Sequence, residues 1–170
     1  MNDSAQAGMN PELDLVLERV VDVPPDLIWK AWTRPEHLKE WFVPRPWTIT
    51  ECEIDLRPGG VFRMVMRPPD GEAMGGDPGC YLEVVEGERF SWTNALLPGF
   101  RPASPAESDI VFTAEITIEP HGNGGTRYVA RAMHRDPQGR KQHQEMGFHE
   151  GWGTCFDQLE ELVRGWEGEA

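Results

Sequence analysis

From Trp47 to His134 the apolar residues recur with a period of two, in short runs divided by turn residues. In the first run Cys52, Ile54 and Leu56 alternate with Glu51, Glu53 and Asp55; in the next, Phe62, Met64 and Met66 alternate with Arg63 and Arg67. Further runs are CYLEVVE, RFSWTNAL, IVFTAEITIE and TRYVARAMH. Most are joined by glycine-containing turns, at Arg57 to Gly60, Glu86 to Glu88 and His121 to Gly125. Short β-prone runs joined by tight turns are consecutive hairpins, and these build an antiparallel meander. A βαβ sheet would need a helical crossover between strands, and none is encoded here.

The flanks complete the plan. Leu13, Leu15 and Leu17 share one face of a first strand that Pro24-Pro25 stops. Pro25 and Asp26 suit a helix start, and Ile28, Trp29 and Trp32 fall at helical spacing up to Thr33. Pro35 opens a second short helix that ends before Pro44. From about Gln142 the residues Phe148, Trp152, Phe156, Leu159, Val163 and Trp166 share one face of a long helix, opposite Glu150, Asp157, Glu161 and Arg164. The expected fold is α+β, a curved antiparallel sheet of about seven strands wrapped around that C-terminal helix. Residues 1–11 are expected to form a disordered tail, and 12–166 one domain.

Charge narrows the function. The 170 residues carry a formal net charge of −13, which repels nucleic-acid phosphates and anionic lipid, so neither nucleic acid nor a membrane is an expected partner. No run approaches the roughly 20 apolar residues of a membrane span. The opening segment lacks the basic and apolar regions of a secretory signal. Cys52, Cys80 and Cys155 match neither a disulfide framework nor a zinc pattern, and read as reduced thiols of a cytoplasmic protein.

Several short stretches resemble a known family: Ile28 to Thr33 before Pro35-Glu36, Leu38 to Trp41, Asp55 to Gly60, and Pro69-Asp70-Gly71. Leu82 to Val85, Gly124-Gly125-Thr126 and Met146 to Trp152 continue the series. In this order they resemble the helix-grip fold of the START-like, polyketide-cyclase (SRPBCC) superfamily. Within it they are closest to the branch related to the C-terminal domain of the activator of heat-shock protein 90 ATPase. That resemblance implies a cavity between sheet and helix. It also implies two further readings, a module that docks on heat-shock protein 90 and a cyclase or hydrolase using the same cavity. The eukaryotic activators carry an additional N-terminal domain for which these 170 residues hold no counterpart.

The wall of such a cavity follows in part from alternation. With Arg127 and Arg131 turned to solvent, Tyr128, Ala130, Ala132 and His134 face inward. Phe62, Met64, Met66, Phe90, Trp92, Asn94, Ile110 and Phe112 do so by the same rule. An apolar wall rich in methionine and aromatics suits a small apolar or amphipathic molecule, and equally suits a filled core. On a continuous helix Glu145 and His149 are neighbours beside Trp152, with His134 approaching from the last strand. That trio is the candidate acid–base set, or else a polar pair satisfied at the rim. His143, Glu145, His149 and Glu150 lack zincin spacing, so no metal is expected, and no cofactor. Gly147 and Gly151 are expected to allow close approach of a neighbouring element. The loop from Leu97 to Ser108 is a candidate gate, with Phe100 dipping in. A homodimer is compatible with the sequence.

Overall fold

The computed structural model describes residues 8–106 and 109–167. The first seven residues of the expected tail therefore lie outside the described residues, as do Glu107 and Ser108 of the candidate gate. The Asn10 carbonyl accepts hydrogen bonds from the Leu13 and Asp14 N–H groups, a turn that leads into the first strand.

Strand β1 (Asp14–Val21) is followed by helices α1 (Pro25–Thr33) and α2 (Pro35–Leu38). The meander comprises β2 (Thr48–Ile54), β3 (Val61–Arg67), β4 (Met74–Gly75), β5 (Gly79–Val85) and β6 (Arg89–Thr93). It continues through β7 (Leu96–Leu97), β8 (Arg101–Pro102), β9 (Phe112–His121) and β10 (Gly125–His134), and the chain ends in α3 (Pro137–Glu145) and α4 (Phe148–Glu167). Seven strands form one antiparallel path in the order β1, β10, β9, β6, β5, β3, β2. Register shifts between Ile49 and Glu51 and between Tyr81 and Glu83 mark bulges, which bend a sheet and deepen its curl. Helices α1 and α2 carry the chain from one edge of the sheet to the other. This is the α+β helix-grip arrangement, a curled half-barrel around a C-terminal helix.

The two faces of the sheet follow the alternation. On β10, Tyr128, Ala130, Ala132 and His134 are buried, while Arg127 and Arg131 turn to the other face. There Arg127 pairs with Glu18 on β1 and Glu119 on β9, and Arg131 with Glu115. Such partly exposed pairs contribute little stability each, and the inner face carries the fold. Trp32 lies at its centre, fully buried, with ring centroids 4.8 to 5.4 Å from those of Trp41, Phe42, Phe90 and Trp92. Its indole N–H donates to the Tyr128 hydroxyl at 3.1 Å, so burying the ring leaves no donor unmet.

Two local expectations fail. The C-terminal helix is not continuous from Gln142, because Gly147 has φ 94° and ends α3. A glycine in this left-handed conformation closes a helix at little cost, and it resets the direction of the next one. The close approach anticipated at Gly147 and Gly151 occurs instead at Gly153, where a Cβ would lie 2.8 Å from Nη2 of Arg19. Nothing stands within 4 Å of a Cβ built at Gly147 or Gly151.

Candidate functional site

A cleft of about 430 Å³ opens between the sheet and the first half of α4. Phe62, Met64 and Met66 of β3, Trp92 of β6, Phe112 of β9 and Tyr128 of β10 line its sheet side. Phe148, Gly151, Trp152 and Cys155 of α4 line the opposite side. His143, Met146 and Gly147, at the α3–α4 junction, close one end, and the segment Trp41 to Pro44 the other. The aromatic rings form a continuous lining. Trp152 stacks parallel to Trp92 at 6.3 Å and meets Phe42 edge-on at 6.0 Å. Phe112 and Phe148 flank His143 at 4.9 and 5.3 Å.

The segment Trp41 to Pro44 is fixed by Gln158, which is buried on α4. The Gln158 amide nitrogen donates to the Trp41 and Val43 carbonyls at 2.9 and 2.8 Å, and its oxygen accepts from the Arg45 N–H at 3.0 Å. One side chain thereby replaces a run of strand pairing for an irregular segment that would otherwise bury unmet backbone groups.

The residues expected from sequence separate into groups. Phe62, Met64, Met66, Trp92, Phe112 and Trp152 come together on the cleft wall. Ala130 and Ala132 are fully buried in the core cluster with Phe148, Phe156 and Leu159, and do not line the cleft. The space beside small strand residues is taken up by the bulky face of α4. Asn94 is consumed at a strand end, its amide donating to the Ile110 carbonyl at 2.8 Å and accepting from the Phe112 N–H at 3.0 Å.

The Glu145–His149 pair does not form. Glu145 is the last residue of α3, His149 lies in the first turn of α4, and the break at Gly147 removes the shared helical face. Both side chains are exposed, and His149 Nε2 donates to the Val16 carbonyl of β1 at 3.1 Å. His134 approaches neither. Its Nδ1 lies 2.8 Å from the Leu13 carbonyl and its Nε2 lies 2.9 Å from Nδ1 of His143. Burial, with a smaller contribution from His134, holds the His143 imidazole down to about 4, so this ring is neutral at neutral pH. Burial also pushes the Cys155 thiol up to about 12, which leaves it protonated and a poor nucleophile.

The candidate gate takes a different position. Residues 96–102 fold into the β7–β8 hairpin, and the Gly99 N–H donates to the Gly59 carbonyl at 2.8 Å. Phe100 packs over Gly59 and stays half exposed, away from the cleft. Sequence reasoning also passed over Phe42 to Pro44 and the role of His143. Signals for both exist: Asp136-Pro137 is a helix start that puts His143 on α3, and an apolar Trp-Phe-Val run before Pro44 is unusual for a surface turn.

Comparison with known proteins agrees with this architecture. No curated protein matches the sequence. Protein NE0264 from Nitrosomonas europaea is similar at 50% identity over 94% of this chain and 99% of its own, with a TM-score of 0.87. Ms6760 from Mycobacterium smegmatis shares 27% identity over 90% and 91% of the two chains, with a TM-score of 0.72. A protein from Rhodobacter sphaeroides, at 20% identity over 91% and 94%, shares the fold with a TM-score of 0.77. The model of the family described as activator of Hsp90 ATPase homolog 1-like protein matches residues 22–164, which spans every element from α1 nearly to the end of α4. The chain belongs to this family, within the START-like (SRPBCC) superfamily.

Proposed function

We propose that this protein binds one small apolar or amphipathic molecule in the cleft between the sheet and the first half of α4. The observation that carries this reading is a space of about 430 Å³ between sheet and helix, walled mainly by aromatic and methionine side chains. That volume falls in the range of small-molecule sites, and its lining of aromatic and methionine side chains with few polar groups is what such sites use. Family membership in a superfamily of cavity-forming domains agrees with it. A neutral His143 and a protonated Cys155 favour retention of a ligand over covalent turnover. A cytoplasmic location accords with three unpaired cysteines, Cys52, Cys80 and Cys155. No described helix is long and apolar enough to cross a membrane.

Gly151 supplies the test. It is helical, lines the cleft, and has open space where a Cβ would stand. Gly151→Leu therefore fills the cleft without overpacking the core, and replacing a helical glycine in the first turn does not destabilise α4. The native protein should bind Nile red at about one per chain, and the folded Gly151→Leu protein should lose at least roughly tenfold in affinity. Native mass spectrometry of freshly purified protein should show a copurified small molecule that the variant lacks. Unchanged Nile red affinity in a folded Gly151→Leu protein would place binding elsewhere.

A further inference from the structure

The polar end of the cleft has a defined hydrogen-bond sense. A backbone carbonyl only accepts, so the His134 Nδ1 that faces Leu13 at 2.8 Å carries a proton. In a neutral ring the other nitrogen, Nε2, is then an acceptor. It lies 2.9 Å from Nδ1 of His143, which must supply the proton of that bond. A neutral His143 with its proton on Nδ1 leaves a lone pair on Nε2. That nitrogen has no hydrogen-bond partner among the described residues, and the ring belongs to the cleft lining. The Leu13 carbonyl thus sets the tautomer of two rings in series, and the outer ring offers the cleft an acceptor.

We infer that the cleft selects amphipathic molecules whose polar group donates a hydrogen bond, such as a phenol or an alcohol, with His143 Nε2 as the accepting atom. Phe112 and Phe148 stand 4.9 and 5.3 Å from the imidazole, so its surroundings are largely apolar, and an unmet donor or a second acceptor placed there is costly. A carboxylate would bring lone pairs against a lone pair inside an apolar wall. Burial and the neighbouring His134 disfavour the protonation that would relieve this clash. The inference rests on the proposed role of the cleft and adds the chemistry of the group held at its His143 end.

Three probes of matched shape test it through displacement of Nile red: para-hexylphenol, its methyl ether, and para-hexylbenzoate. At neutral pH the phenol should bind roughly tenfold more tightly than the ether or the benzoate, the scale of one hydrogen bond in a partly dry site. His143→Phe should abolish the preference, so that phenol and ether bind with equal affinity. Equal affinities of phenol and ether, with Nile red still bound, would overturn the donor preference while leaving the cleft as a ligand site. Failure of Nile red itself to bind would overturn both. Nitrogen-15 NMR of the unmodified protein gives a readout independent of any variant's folding: His143 should show the Nδ1–H tautomer. An Nε2–H signal there would overturn the inference.

Discussion

The two halves of α4 bury side chains of similar size against the same sheet and end in opposite states. In the second half Leu159 and Val163 are fully buried and, with Phe156 just before them, join α1 and β1 in the core. In the first half Gly151 and Trp152 border an open cleft, and Met146 just before it is 71% exposed. The difference lies in the neighbours more than in the helix. Beyond Trp152 the helix is tied to β1 by Arg19, which crosses Gly153 to reach Asp157 at 2.7 Å, and its last turns are held by Arg164, which pairs with Asp22. The first half faces β3 and β6 across the cleft, beside the Trp41 to Pro44 segment that Gln158 fixes to α4. One amphipathic helix can therefore close a core and open a site, according to what stands across from each turn.

Truncation on the two halves should give the largest contrast. Leu159→Ala removes a fully buried side chain and should destabilise by about 3–4 kcal/mol, with the cavity left behind adding to the lost transfer energy. Trp152→Ala removes a larger side chain, but one that already borders open space, and should cost no more than about 2 kcal/mol. Urea unfolding of both variants measures this. A greater loss for Trp152→Ala would mean that the cleft is closed in solution and that the halves do not differ.

A smaller effect should come from the contact that fixes the Trp41 to Pro44 segment. Gln158→Leu keeps the bulk and removes three hydrogen bonds, so it should cost about 2–3 kcal/mol from the backbone groups left unmet. Nile red affinity should fall with it, because Trp41 to Pro44 would no longer be held as a wall. Stability lost at unchanged affinity would show that this segment is not part of the site.

The same contrast marks how much could be read from sequence. The filled half was legible, since a period of 3.6 through Phe156, Leu159 and Val163 and a period of two through β9 and β10 each report burial directly. The cleft was legible only along the strands, where alternation placed Phe62, Met64, Met66, Trp92 and Phe112. It was obscured wherever one residue interrupts a period. Gly147 breaks the helical phase, so the wheel that paired Glu145 with His149 joined residues of two separate helices. The His134–His143 contact spans a turn and a helix start, and no periodicity encodes it. Ala130 and Ala132 were placed on the correct face, but residue size does not say whether the space above is empty.

The smallest expected effect is a pH dependence confined to the open half. His143 titrates near 6.5 when unfolded and at about 4 when folded, because its charged form would be buried in the cleft wall beside His134. Between these values the unfolded chain binds the proton and the folded one does not. Stability from this residue is therefore complete above about 6.5, falls as pH drops, and levels off below about 4. The ring is partly open to solvent, so the depression discounted for screening leaves a contribution of about 1 kcal/mol. Urea unfolding of the native protein and of His143→Phe at pH 7 and at a pH just above 4 isolates it, since other titrating groups, His37 among them, contribute to both proteins alike. The variant should lose about 1 kcal/mol less stability than the native protein across that interval. Identical losses would mean that His143 accepts a proton as freely in the folded state as in the unfolded one, and that the cleft at this end is as wet as the surface.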